Sequence, residues 1–325
     1  MRTASLSRLW QASQASTAAA ISSNLRDLCY NAGRTHQEHL VNVFEGILLP
    51  CLEKRSHYKS DAYGALHSVQ TQYNDHEKLS ITDYFSGLGY LLAHQQDNRS
   101  DLIHLIKLTS IYAQWCRASA RSLCVNPPTV VQLLWETQPN YGDSTSNRAP
   151  GRFSLSSSVV PGKGDGREAI RRMRVHVLSK IWPSIFDNPT PVQKAHAEAG
   201  VSYAYPTEEL FGTPWGHCGE SITFASMYTT MQAHVPLGTL ALSVKTMTST
   251  IPGVGVSPAE AIMHLHRLQD VVEVLRAAGA MRPMCLNCQH LADSVSARVE
   301  DYASVFTSRK AFDFETMAIR LCGRH

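Results

Sequence analysis

Apolar positions recur at helical spacing through the first 137 residues. Leu40, Val41, Val43, Phe44, Ile47 and Leu48 form one set, and Leu102, Ile103, Leu105, Ile106, Ile111 and Tyr112 form a second. Val130, Val131, Leu133 and Leu134 make a third. Residues three and four apart share one helix face, so each set predicts a helix with one side against a core. Asp101 and Thr129 are the types that start helices, and Pro127-Pro128 separates the last two segments. The pattern predicts an all-helical region over residues 1–137. No constellation of catalytic residue types stands in it, and its expected use is packing or the binding of a protein partner.

The periodicity stops between Gln138 and Gly166, where Ser, Gly, Pro, Asn and Asp predominate. This composition predicts a loop or linker. Within it, Pro161 to Gly166 has the composition of a phosphate-binding loop. It lacks the G-x-x-x-x-G-K-[ST] spacing and no apolar strand leads into it, which excludes that reading.

From residue 167 to residue 325 the pattern alternates between helix and strand periods. Helices are expected over 167–186 and 190–199, and a strand over Val201–Tyr205. A helix from near His217 leads to a buried strand over Thr239–Val244. Ser257-Pro258-Ala259-Glu260 reads as a helix start, with apolar positions continuing through Leu275 to Gly279. A further helix follows Cys288 to about Val305, and Ala311–Leu321 reads as strand or helix. The predicted class is α/β preceded by a helical region, divided as 1–137, 138–166 and 167–325.

Composition adds a few constraints. An apolar fraction of 43% and a charged fraction of 18% belong to folded globular chains. A net charge of +3 on 325 residues neither predicts nor excludes nucleic-acid binding. No apolar run approaches the roughly 18 residues of a membrane span, so no membrane partner is expected. Arg2, Arg8 and Arg26 without any acid among the first 26 residues match a mitochondrial presequence as well as an exposed first helix. The expected location is cytoplasmic or nuclear, with mitochondrial as the alternative.

Eight cysteines are too few and too scattered for a disulfide scaffold. Cys29, Cys51, Cys116, Cys124 and Cys322 sit in apolar or amphipathic stretches and read as buried thiols. The other three stand in two distinctive passages, Thr213-Pro-Trp-Gly-His-Cys-Gly-Glu220 and Arg282-Pro-Met-Cys-Leu-Asn-Cys-Gln289. Zinc takes thiolates in a tetrahedron, and a catalytic zinc keeps one position for water. Cys285 and Cys288, at the first turn of a helix opened by Pro283, can both face one ion. The helix-end N–H groups favour thiolates there. Cys218 supplies a third sulfur, and Glu220 at the same irregular turn can reach the reacting water without binding the metal. A metal-activated water with a Glu as proton carrier is the equipment of a hydrolytic deaminase.

Cys-Gly-Glu followed by Cys-x-x-Cys resembles the signature of the cytidine-deaminase-like superfamily. The wording Trp-Gly-His-Cys-Gly-Glu with Cys-Leu-Asn-Cys is most similar to the deaminase-like proteins expanded in fungi. The resemblance covers about residues 210 to 300. It implies Cys218, Cys285 and Cys288 as zinc ligands and Glu220 as proton shuttle. It also implies a mixed sheet flanked by helices, with both zinc-bearing helices on one side, and a nucleobase, nucleoside or nucleic-acid substrate. The chain departs from the pattern in Pro-Met-Cys, one residue longer than the usual Pro-Cys, in an added helix before Cys285, and in a weak hairpin before the first motif.

Several alternatives stand beside this reading. His196-Ala197-Glu198 matches H-x-E literally, but Ala199-Gly200 and a run ending in Pro206 cannot continue a helix. His217 competes with Cys218 as ligand, or sits beside the site against substrate or a carboxylate. His217 or His290 as a fourth ligand would close the zinc site and make it structural. That gives the second functional reading, a non-catalytic zinc-binding interaction protein that keeps the fold. Trp215 suits base stacking or a packing staple. Arg171, Arg172 and Arg174 suit phosphates or a solvated helix face, and His264 and His266 read as surface residues.

Overall fold

Capping chemistry starts many of the helices. Ser5 accepts from the Arg8 N–H to open α1 (Leu6–Ser13), and Thr17 accepts from Ala20 to open α2 (Ala18–Tyr30). In this computed structural model, the residues described are 5–32, 34–53, 69–73, 77–81, 83–94, 101–137, 152–160, 165–183, 215–228, 236–294 and 298–303. The segments 190–199, Val201–Tyr205 and Ala311–Leu321, like His196, Glu198 and Cys322, lie outside them. α3 (Arg34–Val43) runs through a π-helical turn, Phe44–Leu48, into α4 (Leu49–Glu53). A hairpin of β1 (Val69–Tyr73) and β2 (Glu77–Ile81) follows.

Asp83 caps α5 (Tyr84–Ala93), every residue of which is buried. Asp101, as expected, caps α6 (Leu102–Leu123), accepting from the His104 N–H at 2.7 Å. Thr129 starts no helix. Val130–Glu136 is strand β3, which corrects the helix read there and the all-helical reading of 1–137. Both faces of the strand are covered: Val131, Leu133 and Trp135 enter one apolar cluster and Leu134 the other. A strand buried on both faces loses its period of two and reads as a continuous apolar run.

β4 (Phe153–Ser157), inside the stretch read as loop, pairs antiparallel with β3, and so does β5 (Leu237–Ser243) on the other side. The far edge of β5 is shared end to end. Ala241 and Leu242 pair antiparallel with β6 (Met281–Arg282), and Leu237–Thr239 pair parallel with β7 (Val299–Asp301). The protein is therefore mixed α/β, with a five-stranded mixed sheet ordered β4-β3-β5-β6 and β7 on β5.

α5 packs on β4 and α6 on β3 and β5, with α9 (Val244–Thr248) and α10 (Pro258–Met263) against α6. Ser257 caps α10 with Pro258 in its first turn, as read from the sequence. The helix expected to run on to Gly279 breaks at His264, and α11 (Leu268–Ala277) is separate. Lys107 of α6 donates to the Met263 carbonyl at 3.1 Å, taking the acceptor that a continuous helix would offer to Arg267. The opposite layer holds α7 (Asp165–Ile181), α8 (Glu220–Tyr228) and α12 (Leu286–Ser294), around Leu134, Leu178, Phe224, Leu237 and Leu291. α12 ends at Ser294, short of the helix expected to about 305, because β7 pairs with β5 beyond it. Among the described residues no helix is long and apolar enough to cross a membrane.

Candidate metal centre

Two chain turns meet on the α7–α8–α12 side of the sheet. The first, Trp215–Gly219, leads into α8. Gly216 has φ +82°, and a Cβ there would lie 2.6 Å from the Arg171 carbonyl oxygen. Gly219 lies against the strands, where a Cβ would come 2.9 Å from the Gln132 Cβ and 3.2 Å from the Ser157 backbone. Glycine is required at both places, in the first by conformation and in the second by close approach.

The second turn joins β6 to α12. The Gln289 N–H donates to the Cys285 carbonyl at 3.0 Å, so Cys285 occupies the N-cap position and Cys288 the third helical residue. Side chains at these two positions meet, which explains the value of a C-x-x-C at a helix start. Asp301 of β7 accepts from the Met284 N–H at 3.1 Å and fixes the entry to this helix.

The two turns bring Cys218, Cys285 and Cys288 together, with all three sulfurs within 4.8 Å of one another. Cys218 Sγ and Cys285 Sγ are 3.3 Å apart, well beyond the about 2.05 Å of a disulfide. Three sulfurs placed tetrahedrally about one ion at about 2.3 Å stand about 3.8 Å from each other. The group can therefore hold a metal ion with small movements. Among the described residues it contains these three ligands and no fourth.

The electrostatics favour a thiolate at Cys285, while hydrogen bonds within the cluster, first from Cys285 for Cys218 and from Cys218 for Cys288, hold the other two thiols well above their usual value. Cys285 is held well below the usual thiol range, first by the hydrogen bonds that Cys218 and Cys288 offer its sulfur, and further by the backbone N–H groups of Cys288 and Asn287. Burial works against this shift, less strongly than either side-chain hydrogen bond but more strongly than either backbone N–H. Asn287 thus lends its backbone N–H to the sulfur. Glu220 begins α8 and is 5% exposed. Burial raises its carboxyl to about 8, with the negative charge of Cys285 adding to the effect.

His217 is buried beside the site with its Nδ1 3.0 Å from Arg167 Nη2. It stands outside the ligand group. Burial lowers it to about 4, with Arg167, Arg171 and Arg174 contributing, so its ring stays neutral at pH 7. Trp215 is partly buried against the Leu178–Phe224 cluster. The side chain of His290 lies outside the described ones.

The arginines of α7 correct a reading of the sequence. Arg171 and Arg174 are 4% and 0% exposed, which excludes a solvated face for them, while Arg172 stays at the surface. Arg174 donates to Asp83 at 2.7 Å, Ser86 at 2.9 Å, the Ser157 carbonyl at 2.9 Å and the Cys218 carbonyl at 3.4 Å. The available signal was spacing: 167, 171 and 174 recur at helical period on one face. Of the other cysteines, Cys29, Cys51 and Cys116 are buried as expected, whereas Cys124 is exposed at the left-handed end of α6. Comparisons with protein-family models, with curated proteins and with solved structures give no match.

Proposed function

We propose that this chain is a zinc-dependent hydrolytic deaminase of a nucleobase, nucleoside or nucleic-acid base, with a sheet of the cytidine-deaminase-like kind. The observation that carries the reading is the meeting of Cys218, Cys285 and Cys288 beside a buried carboxyl, Glu220, two residues beyond the first of them. Three thiolates make a soft donor set that suits zinc and disfavours magnesium or calcium. Three protein ligands are also the number that leaves a catalytic zinc one open position.

Bound in this site, zinc supplies the Lewis acidity that makes water a nucleophile at neutral pH. The chain's own part falls to Glu220. The raised value of its carboxyl makes Glu220 hold a proton well at neutral pH: it takes one from the attacking water and gives it to the ring nitrogen next to the amino-bearing carbon. It then carries the second water proton to the departing amine, which leaves as ammonia. Its burial keeps bulk water from competing for those protons. His217, within the same turn, stays neutral at pH 7 and has its Nδ1 against Arg167, and the proton-carrying role is assigned to Glu220.

The test is metal content together with ammonia release. Purified protein should hold one zinc per chain, and Cys285→Ser with Cys288→Ser should lose it. Glu220→Gln should keep the zinc and lose at least about 100-fold of the release from cytidine, adenosine, guanine or a single-stranded nucleic acid. A zinc-free wild type sinks the metal site. Equal release from wild type and Glu220→Gln removes Glu220 from the chemistry, and zinc without any release leaves the non-catalytic interaction protein as the reading.

A further inference from the structure

The turn that carries Cys218 has no regular secondary structure, yet its first sulfur must meet two others from a separate helix. One helix face addresses four consecutive residues of this turn. Arg167 Nη2 lies 3.0 Å from His217 Nδ1, and Arg171 Nη1 donates to the Trp215 carbonyl at 3.1 Å. Arg174 Nη1 reaches the Cys218 carbonyl at 3.4 Å. Gly216 rests on the Arg171 carbonyl so closely that no side chain fits between them. The three arginines are spaced i, i+4 and i+7, which places them in one row along α7.

The row is itself held in place. Glu168 binds Arg171 through both carboxylate oxygens, at 2.5 and 2.8 Å. Arg174 is held by Asp83 and Ser86 at the start of α5, across the edge of the sheet. A guanidinium with several fixed donors is preorganised, so little freedom is lost when it binds a carbonyl.

We infer that α7 is the template of the first ligand turn, with Arg167, Arg171 and Arg174 as positioning residues that set the direction of Cys218 toward Cys285 and Cys288. The inference rests on the metal reading of these cysteines, but its structural half is independent of it. The arginines act on the backbone of the turn and on His217. Their effect is on how well three sulfurs are prearranged, which governs affinity and ligand geometry. Groups that orient ligands from outside the coordination shell are typically worth about 10–100-fold in affinity.

The test uses whole chains carrying Arg167→Met, Arg171→Met, Arg171→Lys or Arg174→Met, with the exposed Lys180→Met of the same helix as control. Cobalt(II) affinity is read by competition with a chromophoric chelator, and ligand geometry by the cobalt–thiolate and d–d absorption. Amide hydrogen exchange of residues 215–219 is followed beside that of the β3 and β5 amides. Arg171→Met and Arg174→Met should bind cobalt about 10–100-fold more weakly, with altered d–d bands. Amides 215–219 should exchange at least tenfold faster while those of β3 and β5 hold. Arg171→Lys, which can still donate to the Trp215 carbonyl, should recover part of the loss, and Lys180→Met should match wild type. Should Arg174→Met fail to fold, Arg171→Met and Arg167→Met decide the matter. Unchanged affinity and unchanged exchange in the folded variants overturn the inference. A wild type that takes up no cobalt overturns the metal reading instead, and exchange at 215–219 still decides whether α7 holds the turn.

Discussion

Arg174 is a charge with no exposed surface, and such a charge is tolerable only when its donors are matched. Asp83, Ser86 and the carbonyls of Ser157 and Cys218 supply the match for its two terminal nitrogens, while the buried Nε has no hydrogen-bond partner among the described residues. Removing one partner leaves the other charge buried and uncompensated, so Asp83→Asn should cost about 3–5 kcal/mol in urea denaturation at pH 7. Burial pushes the Asp83 carboxyl up, but the Arg174 charge and the hydrogen bonds from Arg174 and Ser86 outweigh it, and the group sits below its ordinary value. A lowered carboxyl contributes its full stability above the unfolded value of about 3.9 and loses it as pH falls through the folded value. Wild type should therefore lose stability steeply below about pH 4, and Asp83→Asn should show a shallower loss over that range. An identical acid limb in both proteins would remove Asp83 from the account. Gly219 makes a different residue-scale case, because a methyl there meets backbone and Cβ atoms that cannot swing away. Gly219→Ala should push the Cys218 turn off the sheet and weaken metal uptake at least tenfold, about 1.4 kcal/mol, in the same chelator competition.

At the scale of elements, the helix starts follow from single polar residues. Asp101→Ala should destabilise the protein by about 1 kcal/mol, read as a lower denaturation midpoint with an unchanged slope. Asp101 and Ser257 were legible because a capping residue announces itself next to an apolar run. Strand β3 was not: Val131 and Leu133 face one layer and Gln132 and Leu134 the other, so alternation of polarity vanishes. Gly238 stands opposite Trp135 on β5, and the indole occupies the space a side chain would need. Such a pair is a cross-strand register mark, invisible until the strands are known to be neighbours. The meeting of Cys285 and Cys288 was legible from spacing at a helix start, and that of Cys218 with them from its Gly-flanked turn. The hold of α7 on that turn was not, since a row of arginines reads as a wet surface until Asp83 and Ser86 are brought to it across more than 80 residues of chain.

For the whole molecule, the decisive fact is where the sheet takes its strands. β3 comes from residues 130–136 and lies between β4 and β5, so the sheet beneath the cysteine cluster draws on the chain before residue 138. One apolar cluster runs from Leu9 and Ile21 through Trp115, Leu133 and Leu242 to Ala303. α6 covers the sheet face away from the cysteines, and Asp83 reaches Arg174, two steps from the Cys218 carbonyl. A chain beginning at residue 138 would keep every cysteine of the cluster and Glu220, yet it would lose the strand between β4 and β5 and the partner of Arg174. It should therefore fail to fold and bind no zinc with the affinity of the full chain, in contrast to a zinc unit that stands alone. Dispersed amide signals from the 138–325 fragment, or a cobalt spectrum matching the full protein, would show the helical region to be dispensable. Collapse of both would make that region part of the scaffold of the site, because the sheet that seats Gly219 cannot close without β3.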